Sequence, residues 1–288
     1  MFFRWDWLRP VLTAPIVPTL GPVHPDALSV DLFEDVLRAA VTGGFLPYDK
    51  DRRWGGEKDE KVLREDVVHE RERTLVPTLS RRGRGTVRVF AYGVRDSVAD
   101  EAAELAAKLA AAHDVVGARV VRPLGPDTAH PRGTRIRLKD FTNDPCPDPG
   151  GPVRPVTDWP AVVQETFAPF AVTMAGDGLA FLDARMRAGP CGPVLGAAVG
   201  GRIVGAIGPM EIQPDAVGRP RLMPQYFAVL PEFRGQGLGR VLWRAAMHWG
   251  QSHGAAYQLL QTEVDGPSDR LCRSEGLASL GFIRVEPV

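Results

Sequence analysis

The sequence predicts an α/β chain of two domains, and three observations carry that prediction. At 288 residues the chain is long for one α/β unit and comfortable for two, each with its own core. Strand-like alternation and helix-like periodicity recur on both sides of a break at Asn143-Asp144-Pro145-Cys146-Pro147-Asp148-Pro149-Gly150-Gly151-Pro152. That segment can propagate neither helix nor central strand, because proline lacks the N–H and glycine is unrestrained. Residues 1–142 therefore read as an N-terminal α/β domain of open role, 143–152 as a linker, with a long surface loop inside one domain as the alternative, and 153–288 as a second α/β domain.

In the first part, Leu28, Leu32, Val36, Ala39 and Ala40 recur at helical spacing, which predicts a helix from Asp26 to Ala40. Residues 48–73 are dense in charge; 57–72 reads as a solvated helix and the remainder as loop. Thr86–Tyr92 alternates as a strand. Asp96 or Ser97 caps the Ala-, Leu- and Glu-rich helix Val98–Ala112, and Ala118–Arg122 and Thr134–Leu138 are further strands. This places a β-α-β step at 86–122.

In the second part, Val153–Val156 is a short strand and Asp158 opens a helix through Phe167, with another helix near Leu179–Arg187. Val194–Val199 and Ile203–Ile212 flank Gly200-Gly201 as a hairpin. Met223–Val229 is a strand, and Leu238–Gly250 is a helix with Leu238, Val241, Leu242, Ala245 and Trp249 on its apolar face. Tyr257–Val264 is a strand, Ser268–Leu280 mostly helix, and Phe282–Val285 a final strand. There is no internal repeat.

Composition excludes several classes. Hydrophobic residues at 44% and charged residues at 24% are ordinary for a globular protein. Thirty-five basic and 35 acidic residues cancel, which argues against a nucleic-acid partner. No apolar run reaches the roughly 18 residues of a bilayer span, and Asp6 and Pro10 interrupt any secretory signal. Cys146, Cys191 and Cys272 are odd in number and lack metal or redox spacing, so a cytoplasmic location without disulfides or metal is expected. His69-Glu70 lacks the second histidine of a zinc helix, and His248 and His253 read as structural or exposed.

The chemistry concentrates in Phe227-Ala228-Val229-Leu230-Pro231-Glu232-Phe233-Arg234-Gly235-Gln236-Gly237-Leu238-Gly239-Arg240. A strand ends, a turn follows, and a glycine-rich segment opens a helix. The first N–H groups of a helix lack internal partners and the helix dipole adds positive potential there. Gly235, Gly237 and Gly239 let a pyrophosphate approach the backbone, and Arg234 and Arg240 supply matching charge. A dinucleotide site fits less well, because a hairpin rather than a parallel βαβ run precedes the turn.

Arg234-Gly235-Gln236-Gly237-Leu238-Gly239 resembles the Arg/Gln-x-x-Gly-x-Gly/Ala signature of the GNAT superfamily of N-acyltransferases. Val153–Trp159 resembles that family's first strand and the start of its first helix, and Leu280-Gly281-Phe282 its lead into a late strand. The resemblance covers about residues 150–288. It implies a mixed, splayed central sheet flanked by helices, with a thioester donor between the splayed strands. Val229 and Leu230 would bond the pantetheine arm and polarise the acyl carbonyl. Residues Gly235, Gln236, Gly237, Leu238, Gly239 and Arg240 would hold the pyrophosphate, and Ser268 lies where an asparagine often contacts pantetheine.

The sequence departs from that pattern in its catalytic residues. Met223 stands where many members have a glutamate base, with Gln225 and Phe227 on the same face, and no tyrosine follows Tyr257 to act as acid. Glu263, Glu211 and Asp265 are the substitute bases, and Cys272 or Glu275 the substitute acid. The resemblance implies acetyl-CoA or a larger acyl-CoA as cosubstrate and a small-molecule amine acceptor, in specialised metabolism. An acyl carrier protein is a further partner candidate; monomer and homodimer both remain open. The alternatives are a carrier-protein or aminoacyl-tRNA donor, or a non-catalytic CoA sensor. The N-terminal part is open to a capping role, a partner-binding role, or a degenerate second copy of the same fold.

Overall fold

The computed structural model describes residues 16–17, 21–29, 31, 60–70, 73–93, 97–129, 131–149, 151 and 153–288. In chain order the strands and helices begin with β1 (Ile16–Val17), β2 (Gly21–Pro22), β3 (Glu60–Val62), β4 (Val68–His69), β5 (Arg73–Ser80) and β6 (Thr86–Gly93). Next come α1 (Ser97–Ala112), β7 (Gly117–Leu124), β8 (Thr134–Asp140), β9 (Val153–Pro155), α2 (Ala161–Gln164), α3 (Phe167–Thr173) and α4 (Leu179–Ala188). Then follow β10 (Leu195–Val199), β11 (Arg202–Gly208), β12 (Ile212–Pro214), β13 (Pro220–Leu222) and β14 (Tyr226–Val229). The chain closes with α5 (Leu238–Ser252), β15 (Tyr257–Glu263), α6 (Pro267–Ser274) and β16 (Ala278–Pro287). The architecture is mixed α/β, as the sequence predicts.

Contacts divide the chain into two compact units. One comprises residues 1–138, 215–217 and 259–288; the other comprises 139–214 and 218–258. In the first unit the strands run in the order β3-β5-β6-β7-β16-β8. β6 and β7 are parallel, from Thr86↔Gly117 to Phe90↔Val121, with α1 between them, so the predicted β-α-β step is present. α1 buries Val98, Ala102, Ala106, Leu109 and Ala110 against Leu75, Leu79, Val87, Val89 and Val120. β16 is antiparallel to β7 from Phe282↔Leu124 to Pro287↔Arg119, and to β8 from Ala278↔Leu138 to Ile283↔Thr134.

The first unit corrects two readings and adds a strand, β5, that the sequence does not mark. The charged segment expected as a solvated helix at 57–72 contains β3 and β4, because Glu60 is buried and accepts from Thr78 Oγ1 at 2.8 Å and Arg88 at 3.0 Å. β5 was hidden by Pro77. Its carbonyl accepts from Leu63 N–H at 2.9 Å, so the missing donor also faces the short β3 side and the β5–β6 ladder is intact. The helix expected to reach Leu280 ends at Ser274, where Gly276 at φ +75° reverses the chain; β16 takes over from Ala278. The helix expected at 26–40 lies almost wholly outside the described residues, which show a 3₁₀ turn at Pro25–Ala27 and a helical Asp31.

In the first unit a buried ion cluster fastens α6. Asp269 has no exposure and accepts from Arg137 Nη2 at 2.9 Å and Thr262 Oγ1 at 3.2 Å, with Arg135 Nε at 3.0 Å. Burial would raise this carboxyl. The bonds from Arg137 and the Asp265 N–H, with the charges of Arg137 and Arg135, outweigh it and hold Asp269 below the usual carboxylate range.

The second unit holds a four-stranded antiparallel sheet ordered β14-β11-β10-β9. β12 and β13 are antiparallel, and β13 pairs in parallel with the start of β15 through Arg221↔Tyr257 and Leu222↔Gln258. The strand expected at Met223–Val229 begins only at Tyr226, as β14, with Pro224 separating it from β13, which ends at Leu222. The helix expected at 158–167 is reduced to α2 at Ala161–Gln164, and α3 begins at Phe167. Thr166 at the junction donates to Val163 C=O at 2.6 Å and accepts Ile203 N–H at 2.8 Å, leaving the helical ladder to hold β11. On α5 the buried stripe is Leu242, Trp243, Ala246, Met247 and Gly250, rotated from the expected face. Gly250 allows this: an added Cβ would stand 2.7 Å from Leu222 Cδ2. Asp144-Pro145-Cys146 is anchored on α5, where Gln251 Oε1 accepts Cys146 N–H at 2.7 Å and His248 Nδ1 meets Cys146 O at 2.8 Å.

Candidate functional site

The site is built on β14 and the start of α5. β14 pairs with β11 along one edge, from Gly205↔Val229 to Gly208↔Tyr226. Alternate residues of a strand direct their N–H and C=O to opposite edges. Leu230 N–H bonds Val204 O at 2.9 Å, so residues 226, 228 and 230 serve β11, while Phe227 and Val229 turn their backbone groups to the other edge. Parallel pairing with β15 stops at Leu222↔Gln258. The strand pair that begins at β13 therefore parts at Met223-Pro224-Gln225, where proline has no N–H to continue a ladder.

Beyond β14 the chain makes a 3₁₀ turn at Pro231–Phe233 and reaches Arg234, whose Nε donates to Val229 C=O at 3.0 Å. That bond folds the guanidinium over the strand end. Gly235 (φ +75°) and Gly237 (φ +83°) adopt the left-handed region, and a Cβ built on either meets nothing within 4 Å. Both conformation and open space thus admit a ligand against the backbone here. The first bond of the helix runs from Val241 N–H to Gly237 C=O at 3.1 Å, so the amides of Leu238, Gly239 and Arg240 are not used within α5. Gly239 faces inward, with its Cβ position 3.4 Å from Phe227 Cζ, which seats the helix start on the strand. Arg240 is exposed on the first turn, and the nearby carboxylate of Glu232 pairs with Arg202 at 3.4 Å. Amides, dipole and arginine charge together favour an anion at this place.

At the parting of the strands two carboxamides meet. Gln258 Nε2 donates to Gln225 Oε1 at 2.7 Å and to Met223 C=O at 3.4 Å; Gln225 Nε2 donates to the same carbonyl at 2.6 Å. A carbonyl accepts only from N–H, so it fixes both amide orientations. Gln258 Oε1 is left buried without a hydrogen-bond partner among the described residues, at a cost of about 1–3 kcal/mol. The sequence reading missed Gln258, which no motif marks.

Met223 is fully buried, and its N–H bonds Glu211 C=O at 2.9 Å. This extends the β12–β13 register by one pair, placing Glu211 directly across from Met223 on the same face. Val229, the segment Arg234 to Arg240 and Glu211 all belong to the second unit. Leu230, expected to bond the pantetheine arm, instead spends its N–H on Val204 C=O and its C=O on Phe233 N–H, both at 2.9 Å, so the open-edge groups are those of Val229 and Phe227. Glu263, Ser268 and Cys272 belong to the first unit. Glu263 is exposed at the end of β15 and lines, with Arg132, Thr134 and Asp265, an open cavity of about 920 Å³. Ser268 is exposed on the first turn of α6. Cys272 is buried on α6, and burial pushes its thiol up to about 11. His69 bonds Thr74 Oγ1 at 2.8 Å and His253 stacks on Trp249. No cluster of three potential metal ligands occurs among the described residues, and no described helix is long and apolar enough to cross a membrane.

Residues 159–274 match the model of the acetyltransferase (GNAT) family. Among solved structures, the chain is similar to a GCN5-related N-acetyltransferase from Sphaerobacter thermophilus (14% identity, 96% of each chain covered, TM-score 0.47). It is also similar to a GCN5-related N-acetyltransferase from Kribbella flavida, at 17% identity over 78% of this chain and 90% of that one, with a TM-score of 0.46. A tandem GNAT protein from the clavulanic acid biosynthesis pathway aligns at 15% identity over 75% and 79% of the two chains, with a TM-score of 0.43. No curated protein matches the chain.

Proposed function

With residues 159–274 a region of the GNAT superfamily, we propose that the protein is an N-acyltransferase that moves an acyl group from a CoA thioester to the amine of a small molecule. The observation that carries this reading is the loop of Arg234 to Arg240, where left-handed glycines, unused helix amides and arginine charge converge on open space. The diphosphate of CoA fits that chemistry. A carrier-protein thioester has no diphosphate at that place and would leave the loop idle.

From the loop the donor runs back along the open edge of β14. The N–H groups of Val229 and Phe227 face that edge and are placed to bond the pantetheine arm and to polarise the acyl carbonyl as negative charge develops on it. The amine then attacks the carbonyl carbon, the C–S bond breaks, and CoA leaves as thiolate. The attacking amine must lose a proton, and Glu211 is the proposed base. It lies across the ladder from Met223, where the family pattern has its glutamate, and takes that proton directly or through one water.

The test is release of free thiol from acetyl-CoA against a panel of primary amines, with wild type and Glu211→Gln. The reading expects amine-dependent release by the wild type and a loss of about 100-fold in kcat for the variant, in line with removal of a general base. Donor binding without release for any amine would instead support a CoA sensor.

A further inference from the structure

We infer that the Gln225–Gln258 carboxamide pair sets the length of acyl group the donor site accepts, making this an enzyme for short acyl thioesters. The inference rests on the proposed donor site and names its substrate class. Along β14 the open-edge groups follow the order Val229, Phe227 and then Gln225, moving from the diphosphate loop toward the point where the strands part. A donor with its diphosphate at Gly235 to Arg240 directs the free end of its acyl chain along that edge. Gln225 lies two residues beyond Phe227, roughly 7 Å of strand.

There the path is closed. Gln258, fully buried on β15, reaches Gln225 Oε1 at 2.7 Å, and both side chains bond the Met223 carbonyl. Leu222, paired with Gln258 across the ladder, and Met223, whose carbonyl the pair shares, are each fully buried. Carboxamides hold the two strands together where Pro224 cannot continue the backbone ladder. This clasp is both polar and fixed, since the shared carbonyl determines both orientations. The unpartnered Gln258 Oε1 makes the end of the path hostile to methylenes: a long alkyl chain would displace the Gln225 amide and leave further buried polar groups unpaired. An acetyl or propionyl group ends before it reaches the clasp.

The experiment is calorimetric titration of the full chain with free CoA, acetyl-CoA, butyryl-CoA and octanoyl-CoA, for wild type, Gln225→Ala and Gln258→Ala. Wild type is expected to bind acetyl-CoA at least about ten-fold tighter than octanoyl-CoA, and opening the clasp is expected to erase that ratio while leaving free CoA affinity unchanged. Unchanged free CoA binding also reports that a variant is folded. Gln225, half-buried, carries the test if loss of the buried Gln258 prevents folding. A wild type that binds octanoyl-CoA as well as acetyl-CoA, or a Gln225→Ala variant that keeps the wild-type ratio, would overturn the inference. A wild type that binds free CoA but shows no length preference therefore sinks the clasp alone; one that binds no CoA sinks the donor site and the inference together.

Discussion

Two strand-to-helix junctions in this molecule share a topology and differ in chemistry. In one unit β6 leads to α1 and then to the parallel strand β7; in the other, β13 and β14 lead to α5 and then to β15, parallel to β13. Parallel pairing ends at Phe90↔Val121 within a strand reaching Gly93 in the first case, and at Leu222↔Gln258, with Leu222 the last residue of β13 and ahead of β14, in the second. A helix start carries the positive end of the dipole in either case. Yet the first turns of α1 carry Asp100 and Glu101, with Glu101 paired to Arg73, whereas α5 opens on Gly237 and carries Arg240. The amides come with the topology. The side chains beside them differ in the sign of their charge, acidic at α1 and basic at α5.

The units also differ in what fastens them. The first has the cluster of Asp269, Arg135 and Arg137 beside close-packed glycines such as Gly117, whereas the second has close-packed glycines such as Gly205 and Gly250 without that cluster. The largest expected effect follows from that contrast. Asp269→Asn leaves the buried Arg137 and the partly buried Arg135 without their carboxylate and should lower unfolding free energy by about 3–5 kcal/mol in urea titration. Because the folded-state pKa of Asp269 is depressed, its contribution is present above the unfolded value of about 4 and is lost as pH falls through the lower folded value. The variant should lose that part of the acid dependence.

A change of about 3 kcal/mol, or 100-fold in Kd, is expected for CoA binding with Gly237→Asp, which imposes on α5 both a strained left-handed side chain and the carboxylate seen at α1. Smaller is the effect of Gly205→Ala. Its Cβ would stand 2.8 Å from Leu242 Cδ1 and 3.2 Å from Val229 Cγ2, so thermal unfolding should show about 1–3 kcal/mol of destabilisation from overpacking. Smallest is Glu101→Gln on α1. A partly exposed ion pair contributes at most about 1 kcal/mol, and removing that carboxylate without adding glycines or arginine should create no CoA binding in titration.

The same contrast explains what could be read from sequence. The loop from Arg234 to Arg240 was legible because its determinants are contiguous: three alternating glycines between two arginines, ahead of an amphipathic helix. The β6-α1-β7 step was legible for the same reason, through local periodicity. β5 was not, because Pro77 reads as a strand breaker until its carbonyl is seen to face the short β3. The strand around Glu60 was not, because the partners that bury that carboxylate, Thr78 and Arg88, are distant in sequence. The cluster of Arg135, Arg137 and Asp269 spans 132 residues between Arg137 and Asp269, and Gln258 sits in no motif at all. Contacts of that range are products of the fold and leave no local pattern.

The central claim is that the start of α5 holds the diphosphate of a CoA donor. It is tested most directly by calorimetric titration with CoA and with pantetheine, which keeps the thiol arm and lacks the diphosphate, on wild type and on Arg234→Ala combined with Gly237→Asp. The account predicts that wild type binds CoA at least about 100-fold tighter than pantetheine, and that the double variant binds CoA no better than pantetheine. Equal affinity for the two ligands in the wild type, or undiminished CoA binding by the variant, would contradict it.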